Sequence, residues 1–221
     1  RRLSKRALDF LLSITVGLLG FLVVDAVVEG LEISAKLPGI FHGQALLILG
    51  LIGAFLILFG IDIEARQKQN RMGQSFFMAW LIALGIGLHN LGEGLAIGSA
   101  YVLGELTLGA LLVIGFTLHN ATEGIAIVAP ILQERVKLRL LLWLGILAGA
   151  PTILGCWLGA FTYSLIWSVL FLGIGAGAIL QVIGIIMRSK LSSESARFLD
   201  ILGVILGYLL MYWTGILVGG S

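Results

Sequence analysis

Two six-residue strings, His89-Asn90-Leu91-Gly92-Glu93-Gly94 and His119-Asn120-Ala121-Thr122-Glu123-Gly124, lie thirty positions apart in otherwise apolar sequence and hold two of the chain's three histidines. Helical periodicity stacks residues i and i+4 on one face, so His89 with Glu93, and His119 with Glu123, each make half of a metal-binding set. An ionisable group at membrane depth costs roughly 2.5–3.5 kcal/mol on insertion scales. Two buried glutamates beside two imidazoles therefore call for a compensating partner, and a bound cation is the simplest.

The surroundings of the strings are those of a membrane protein. Hydrophobic residues make up 59% of the 221 and charged residues 12%, and the mean hydropathy is +1.08, far from the averages for soluble domains. The 31 glycines suit helices packed through small residues, because lipid supplies no hydrophobic drive for helix association. A lone cysteine, Cys156, excludes an intramolecular disulfide and reads as a small core residue. Apolar runs long enough to cross a bilayer, which takes about twenty residues, recur near 8–33, 42–63, 74–101, 106–130, 140–161, 164–187 and 199–219. The runs are continuous and lack the alternation of a β-barrel strand. The expected fold is all-α: a polytopic transmembrane bundle of seven helices forming one transmembrane domain over residues 1–221.

The basic residues orient these spans. Arg1, Arg2, Lys5 and Arg6 precede the first, Arg66, Lys68 and Arg71 follow the second, Arg135, Lys137 and Arg139 follow the fourth, and Arg188, Lys190 and Arg197 follow the sixth. Thirteen of the fourteen thus fall on one side, leaving Lys36 opposite. The positive-inside rule makes that side cytoplasmic, with the C-terminus outside. The opening basic cluster resembles a cytoplasmic loop between spans, which leaves room for one more helix upstream and an expected total of eight.

At 1.5 Å rise per residue, His89 lies roughly 22 Å along the third span from Gln74, and His119 roughly 20 Å along the fourth from Leu106. Both are near the bilayer midplane. Antiparallel neighbours joined by the short loop Leu103-Gly104-Glu105 would bring the two faces together as two imidazole nitrogens and two carboxylates, with Asn90 and Asn120 in reserve. That set suits Zn2+, Fe2+, Mn2+ or Cd2+.

The duplicated string resembles the paired His-Asn-x-Pro-Glu-Gly motifs on the fourth and fifth of eight helices in the ZIP (Zrt/Irt-like) family of divalent-metal transporters. The match falls on spans three and four here, which fits a chain lacking the family's first helix. The resemblance implies a transporter carrying divalent cations into the cytoplasm, Zn2+ foremost, with His89, Asn90, Glu93, His119, Asn120 and Glu123 as metal ligands and the metal as cargo rather than cofactor. Two departures are plain. Gly92 and Thr122 replace both motif prolines, so any kink there must come from glycine, a hydroxyl or neighbouring helices. In the next span, Ala150 precedes Pro151 where many members carry a glutamate that completes a second metal position, which points to one metal rather than two.

Further polar residues could line a pathway. Asp25 and Glu29, one turn apart near the outer end of the first span, could form an electronegative vestibule, with Glu32 roughly continuing the face, and Gln181 lies deep in span six as an oxygen ligand or a helix-helix hydrogen bond. Acidic residues at an ordinary water interface explain the first group equally well. Asp62 and Glu64 read as interfacial. No Walker motif is present, so ATP is not the driver within this chain. The rival readings are a membrane-embedded metalloenzyme of the zinc hydrolase kind, for which two deep histidines are too few, and a bundle that a metal merely staples. Expected partners are divalent ions and the lipid bilayer of a plasma or inner membrane, with glycine-rich outer faces that allow a homodimer, and no nucleic acid.

Overall fold

Each apolar run becomes one α-helix, because a backbone in lipid must satisfy its N–H and C=O groups within its own segment. The computed structural model describes residues 4–67, 73–161, 164–191 and 197–219, and all their side chains except those at 65–67, 74, 119, 189–191, 197, 215 and 217–219. In chain order the helices are α1 (Lys5–Ala35), α2 (Gly43–Gln67), α3 (Gln74–Val102), α4 (Leu106–Val128), α5 (Leu138–Phe161), α6 (Leu165–Leu191) and α7 (Arg197–Gly219). The first six are long and apolar enough to cross a bilayer; α7 contributes a shorter apolar stretch, Phe198–Thr214, among the described residues. The ends fall within four residues of those expected from hydropathy.

Local chemistry sets several boundaries. The Ser4 hydroxyl caps α1 by accepting a bond from the Ala7 N–H at 3.2 Å. Between α3 and α4 the chain reverses in three residues. Gly104 takes φ +78 there, its N–H bonds the Tyr101 carbonyl at 3.1 Å, and the Glu105 N–H bonds the Ala100 carbonyl at 3.0 Å. That pair of bonds is a Schellman cap, which needs a residue tolerant of positive φ. The reversal folds α4 back against α3.

Glycines then decide which helices pair. A methyl group at Gly87, Gly94 or Gly98 of α3 would strike the carbonyl of Leu147, Thr152 or Cys156 on α5, and Gly155 and Gly159 of α5 sit against the carbonyls of Leu91 and Leu95. In the same way Gly173 and Gly177 of α6 meet the carbonyls of Leu47 and Leu51 on α2, and Gly207 of α7 meets that of Ile14 on α1. In all three pairs the contacts advance together along both helices, so the partners run parallel, as an alternating threading of the intervening helices produces. The pairing is nested: α3 with α5, α2 with α6, α1 with α7. Inside it, α1, α3 and α6 form the core, with Leu18, Leu22, Ile82, Ile86, Ile179 and Ile186 almost wholly enclosed.

At one end of the bundle α2 and α6 are also tied by charge. Asp62, which the sequence places at an interface, is fully buried and pairs with Arg188 at 3.5 Å. The guanidinium lies 5.5 Å from the centre of the Phe59 ring and donates to the Gly184 carbonyl at 3.3 Å. Pairing with a cation is what keeps a desolvated carboxylate tolerable away from water.

Candidate metal site

The tight turn at Gly104 sets the level of the two strings, since His89 and His119 stand equidistant from it in sequence on antiparallel helices. On α3, His89 Nε2 lies 3.6 Å from Glu93 Oε1, the i,i+4 pair expected from helical spacing. Glu123 of α4 joins them, so that one ligand atom from each of His89, Glu93 and Glu123 lies within 4.8 Å of the others. All three are buried. Bonds of 2.0–2.1 Å to a tetrahedral zinc would separate ligand atoms by roughly 3.3 Å, so a modest inward movement of the carboxylates closes the set on an ion.

The hydrogen-bond account of these side chains points the same way. His89 Nδ1, Asn90 Oδ1, Glu93 Oε2, Asn120 Oδ1 and both oxygens of Glu123 are buried without a hydrogen-bond partner. An unmet buried polar atom costs about 1–3 kcal/mol, and native cores hold few of them. Here six gather on the two strings, and five of them are oxygens able to face a cation.

Neighbouring helices fix the α3 half of the group. Asn90 Nδ2 donates to the Ala148 carbonyl of α5 at 3.1 Å. Because a carbonyl only accepts, this bond orients the amide and leaves Oδ1 as the free end. One residue earlier, Pro151 lacks the N–H that would bond the Leu147 carbonyl, and that carbonyl instead packs on Gly87. From α6, Gly175 abuts the other side of the string: a Cβ there would sit 2.9 Å from His89 Cα. The α4 half is held differently. Thr122 occupies one of the missing proline positions, and its hydroxyl donates to Met211 Sδ of α7 at 2.9 Å. Helices α3 and α4 continue through Gly92 and Thr122.

The remaining candidates fall into place unequally. The side chain of His119 lies outside the described residues, although its backbone is part of α4. Asp25 is exposed on α1, and Glu29, one turn on, lines a cavity of about 90 Å³ together with Gly92. Gln181 is buried on α6 with Nε2 unbonded, six residues beyond Gly175 and hence roughly 9 Å along the axis from the His89 contact.

Two residues have no signal in the sequence reading. Gly175 is one of many glycines, and only its contact with His89 distinguishes it. Thr152 is the other. The hydroxyls of Ser13, Thr15, Ser34, Thr117, Ser168 and Thr214 donate to carbonyls three or four residues back, as membrane helices favour, whereas Thr152 Oγ1 is buried without a partner. Its nearest such acceptor, the Ala148 carbonyl, is the one that Asn90 uses.

The fold and these side chains define a polytopic helical membrane protein built around a buried His/Glu cluster that could hold a metal ion. Residues 61–215 match the ZIP zinc transporter family, and the chain belongs to that family. Its class is therefore divalent-metal transport and not catalysis. Comparison with curated proteins returns no match.

Proposed function

We propose that this chain carries a single divalent cation at a time, Zn2+ foremost, into the cytoplasm through the site made by His89, Glu93 and Glu123, with Asn90, Asn120 and His119 completing the ligand set. The observation that carries this reading is the convergence of one imidazole and two carboxylates from two antiparallel helices at a buried level, with their remaining polar atoms unmet. Mixed nitrogen and oxygen ligands favour borderline ions over Ca2+ and Mg2+. Ala150, in place of an acidic residue beside Pro151, supports one ion over two. The outside C-terminus rests on the basic residues that flank alternate spans, the inward direction rests on the family resemblance, and residues 1–221 act as one transport domain in this reading.

Each step then has a chemical basis. An incoming ion sheds water as it meets the carboxylates. The imidazole must be neutral and the carboxylates ionised to bind it, so occupancy and protonation compete. The ion leaves when the two strings separate, because neither half-site alone supplies four ligands.

Uptake of zinc into proteoliposomes by the purified protein tests the proposal. Flux that His89→Ala and Glu123→Ala abolish, while both variants keep the wild-type melting temperature, is the expected result. Stable zinc binding without flux in the wild type would instead make the metal a staple between helices and overturn transport through this site.

A further inference from the structure

Helix α4 is anchored at both ends. The Gly104 turn ties its start to α3, and Ala129, Pro130 and Ile131, just past its close, are buried in the core. Between these anchors Leu108, Leu111, Ile114, Leu118 and Ile125 are exposed, and a methyl at Gly124 would meet nothing within 4 Å. Glu123 lies in that middle stretch, so its place beside His89 and Glu93 needs a support of its own. The preceding residue supplies one. Threonine hydroxyls in helices commonly donate to a carbonyl of their own preceding turn; that of Thr122 reaches out of its helix and donates to Met211 Sδ of α7 at 2.9 Å.

The acceptor end of this bond is fixed. Methionine is flexible and adapts to irregular gaps, yet Met211 is 0% exposed, so the packing around it holds the sulfur in place. Its helix is in turn clamped on α1. Gly17 and Gly207 each press on the backbone of the partner helix, the Ser13 hydroxyl donates to Asp200 Oδ1 at 3.0 Å, and the Phe21 ring meets those of Tyr208 and Tyr212 edge-on at 5.4 and 6.4 Å. The link therefore runs from a closely packed helix pair to the residue beside a candidate metal ligand. Proline, which the family's motif carries at this position, has neither a hydroxyl nor an N–H with which to make it. Thioether sulfur is a weak acceptor, so the bond fixes a position while adding little to stability.

We propose that Thr122 and Met211 are positioning residues of the metal site: their hydrogen bond sets the distance of Glu123 from His89 and Glu93, and through that distance the size of ion the site prefers. The proposal rests on the transport reading given above and adds a source of selectivity to it. Ligand atoms that lie within 4.8 Å of one another must close to roughly 3.3 Å around zinc. Selectivity among ions with similar ligand preferences follows from the size and flexibility of the ligand cage. A carboxylate held at a set distance favours one ionic radius, whereas a carboxylate on an untied helix follows a larger ion outward. The effect passes through Glu123, without contact between either positioning side chain and the ion.

Titration calorimetry of the whole chain in nanodiscs with Zn2+ and with the larger Cd2+ tests this role. Thr122→Val keeps the shape of the side chain without the donor, and Met211→Leu nearly keeps its volume without the acceptor. Each should weaken Zn2+ binding about fivefold, the worth of one hydrogen bond. Cd2+ binding should weaken less than about twofold, because the loosened carboxylate can follow the larger ion. The double variant should lose no more than either single one, since both remove the same bond. Thr122→Ser, which restores the donor, should regain the wild-type ratio of the two affinities. A merely structural role would move both ions alike, so unchanged affinities or equal losses for the two ions overturn the positioning role. Loss of Cd2+ alone in Met211→Leu overturns it as well, by making the sulfur a ligand. Absence of tight zinc binding in the wild type instead overturns the transport reading, and this role with it.

Discussion

The two His-Asn strings, at 89–94 and 119–124, are near copies in sequence and opposites in their surroundings. The α3 copy is buried along almost its whole length, pressed by backbone contacts from α5 at Gly87 and Gly94 and from α6 at Gly175. The α4 copy sits on a helix whose other residues, among them Leu108, Leu111, Val113, Ile114, Leu118 and Ile125, are largely exposed to the surrounding lipid. Its glycine, Gly124, has nothing within 4 Å of where a methyl would go. One half of the proposed site is thus part of the scaffold, and the other is attached to it through the Gly104 turn and side-chain contacts such as Thr122 to Met211. A cation shared by His89, Glu93 and Glu123 would be the strongest link between the two halves, so binding and the position of α4 are coupled by construction.

Substitutions can break this contrast, and the largest effect belongs to the shared ligands. Glu93→Ala on the fixed half and Glu123→Ala on the loose half should each lower zinc affinity at least about 100-fold by titration calorimetry, since each removes a charged ligand of one ion. If only one of the two matters, the site is not shared between the helices. Next come the glycines. Gly94→Ala places a methyl on the Thr152 carbonyl and should lower stability by about 2–3 kcal/mol or more in thermal unfolding, the scale of overpacking a rigid core. Asn90→Leu keeps the volume but loses both the oriented amide oxygen and the bond to Ala148, and should weaken zinc binding roughly tenfold.

Acidity tests the ligands together. Because binding requires neutral imidazole and ionised carboxylates, zinc affinity falls as pH falls, by up to about tenfold per unit for each proton displaced. Titrations between pH 7.5 and pH 5.5 should show the decline in wild type and a shallower one in His89→Ala. The smallest effect is Gly124→Ala, the sequence counterpart of no contact at all. It should be neutral or add up to about 1 kcal/mol through helix propensity, and a strong loss there would mean that α4 is as tightly seated as α3.

Hydropathy alone located every helix, because length and apolarity are what lipid demands of any span. It also located the strings, since His, Asn and Glu are conspicuous inside such segments. What it could not assign was partnership. Gly94, Gly98, Gly155 and Gly159 announce close packing, but nothing in their spacing says that α3 takes α5, or that Gly203 and Gly207 of α7 answer α1. The same limit hid Gly175, whose role depends on which residue faces it, and Thr152, whose hydroxyl would be expected to bond its own helix. Asp62 was placed at an interface by its position near a helix end, yet burial is set by what packs around it, and Arg188 was more than a hundred residues away.

The nested order of the helix pairs has a consequence for how the protein is made. A ribosome delivers α1 well before α7, yet these two are partners, and α2 must likewise await α6. The innermost pair can close as soon as α5 is inserted, so assembly is free to proceed outward from α4, with α1 the longest to remain without its glycine-lined neighbour in the bilayer. Any truncation that removes α7 therefore deprives α1, the earliest made of these seven helices, of its seat.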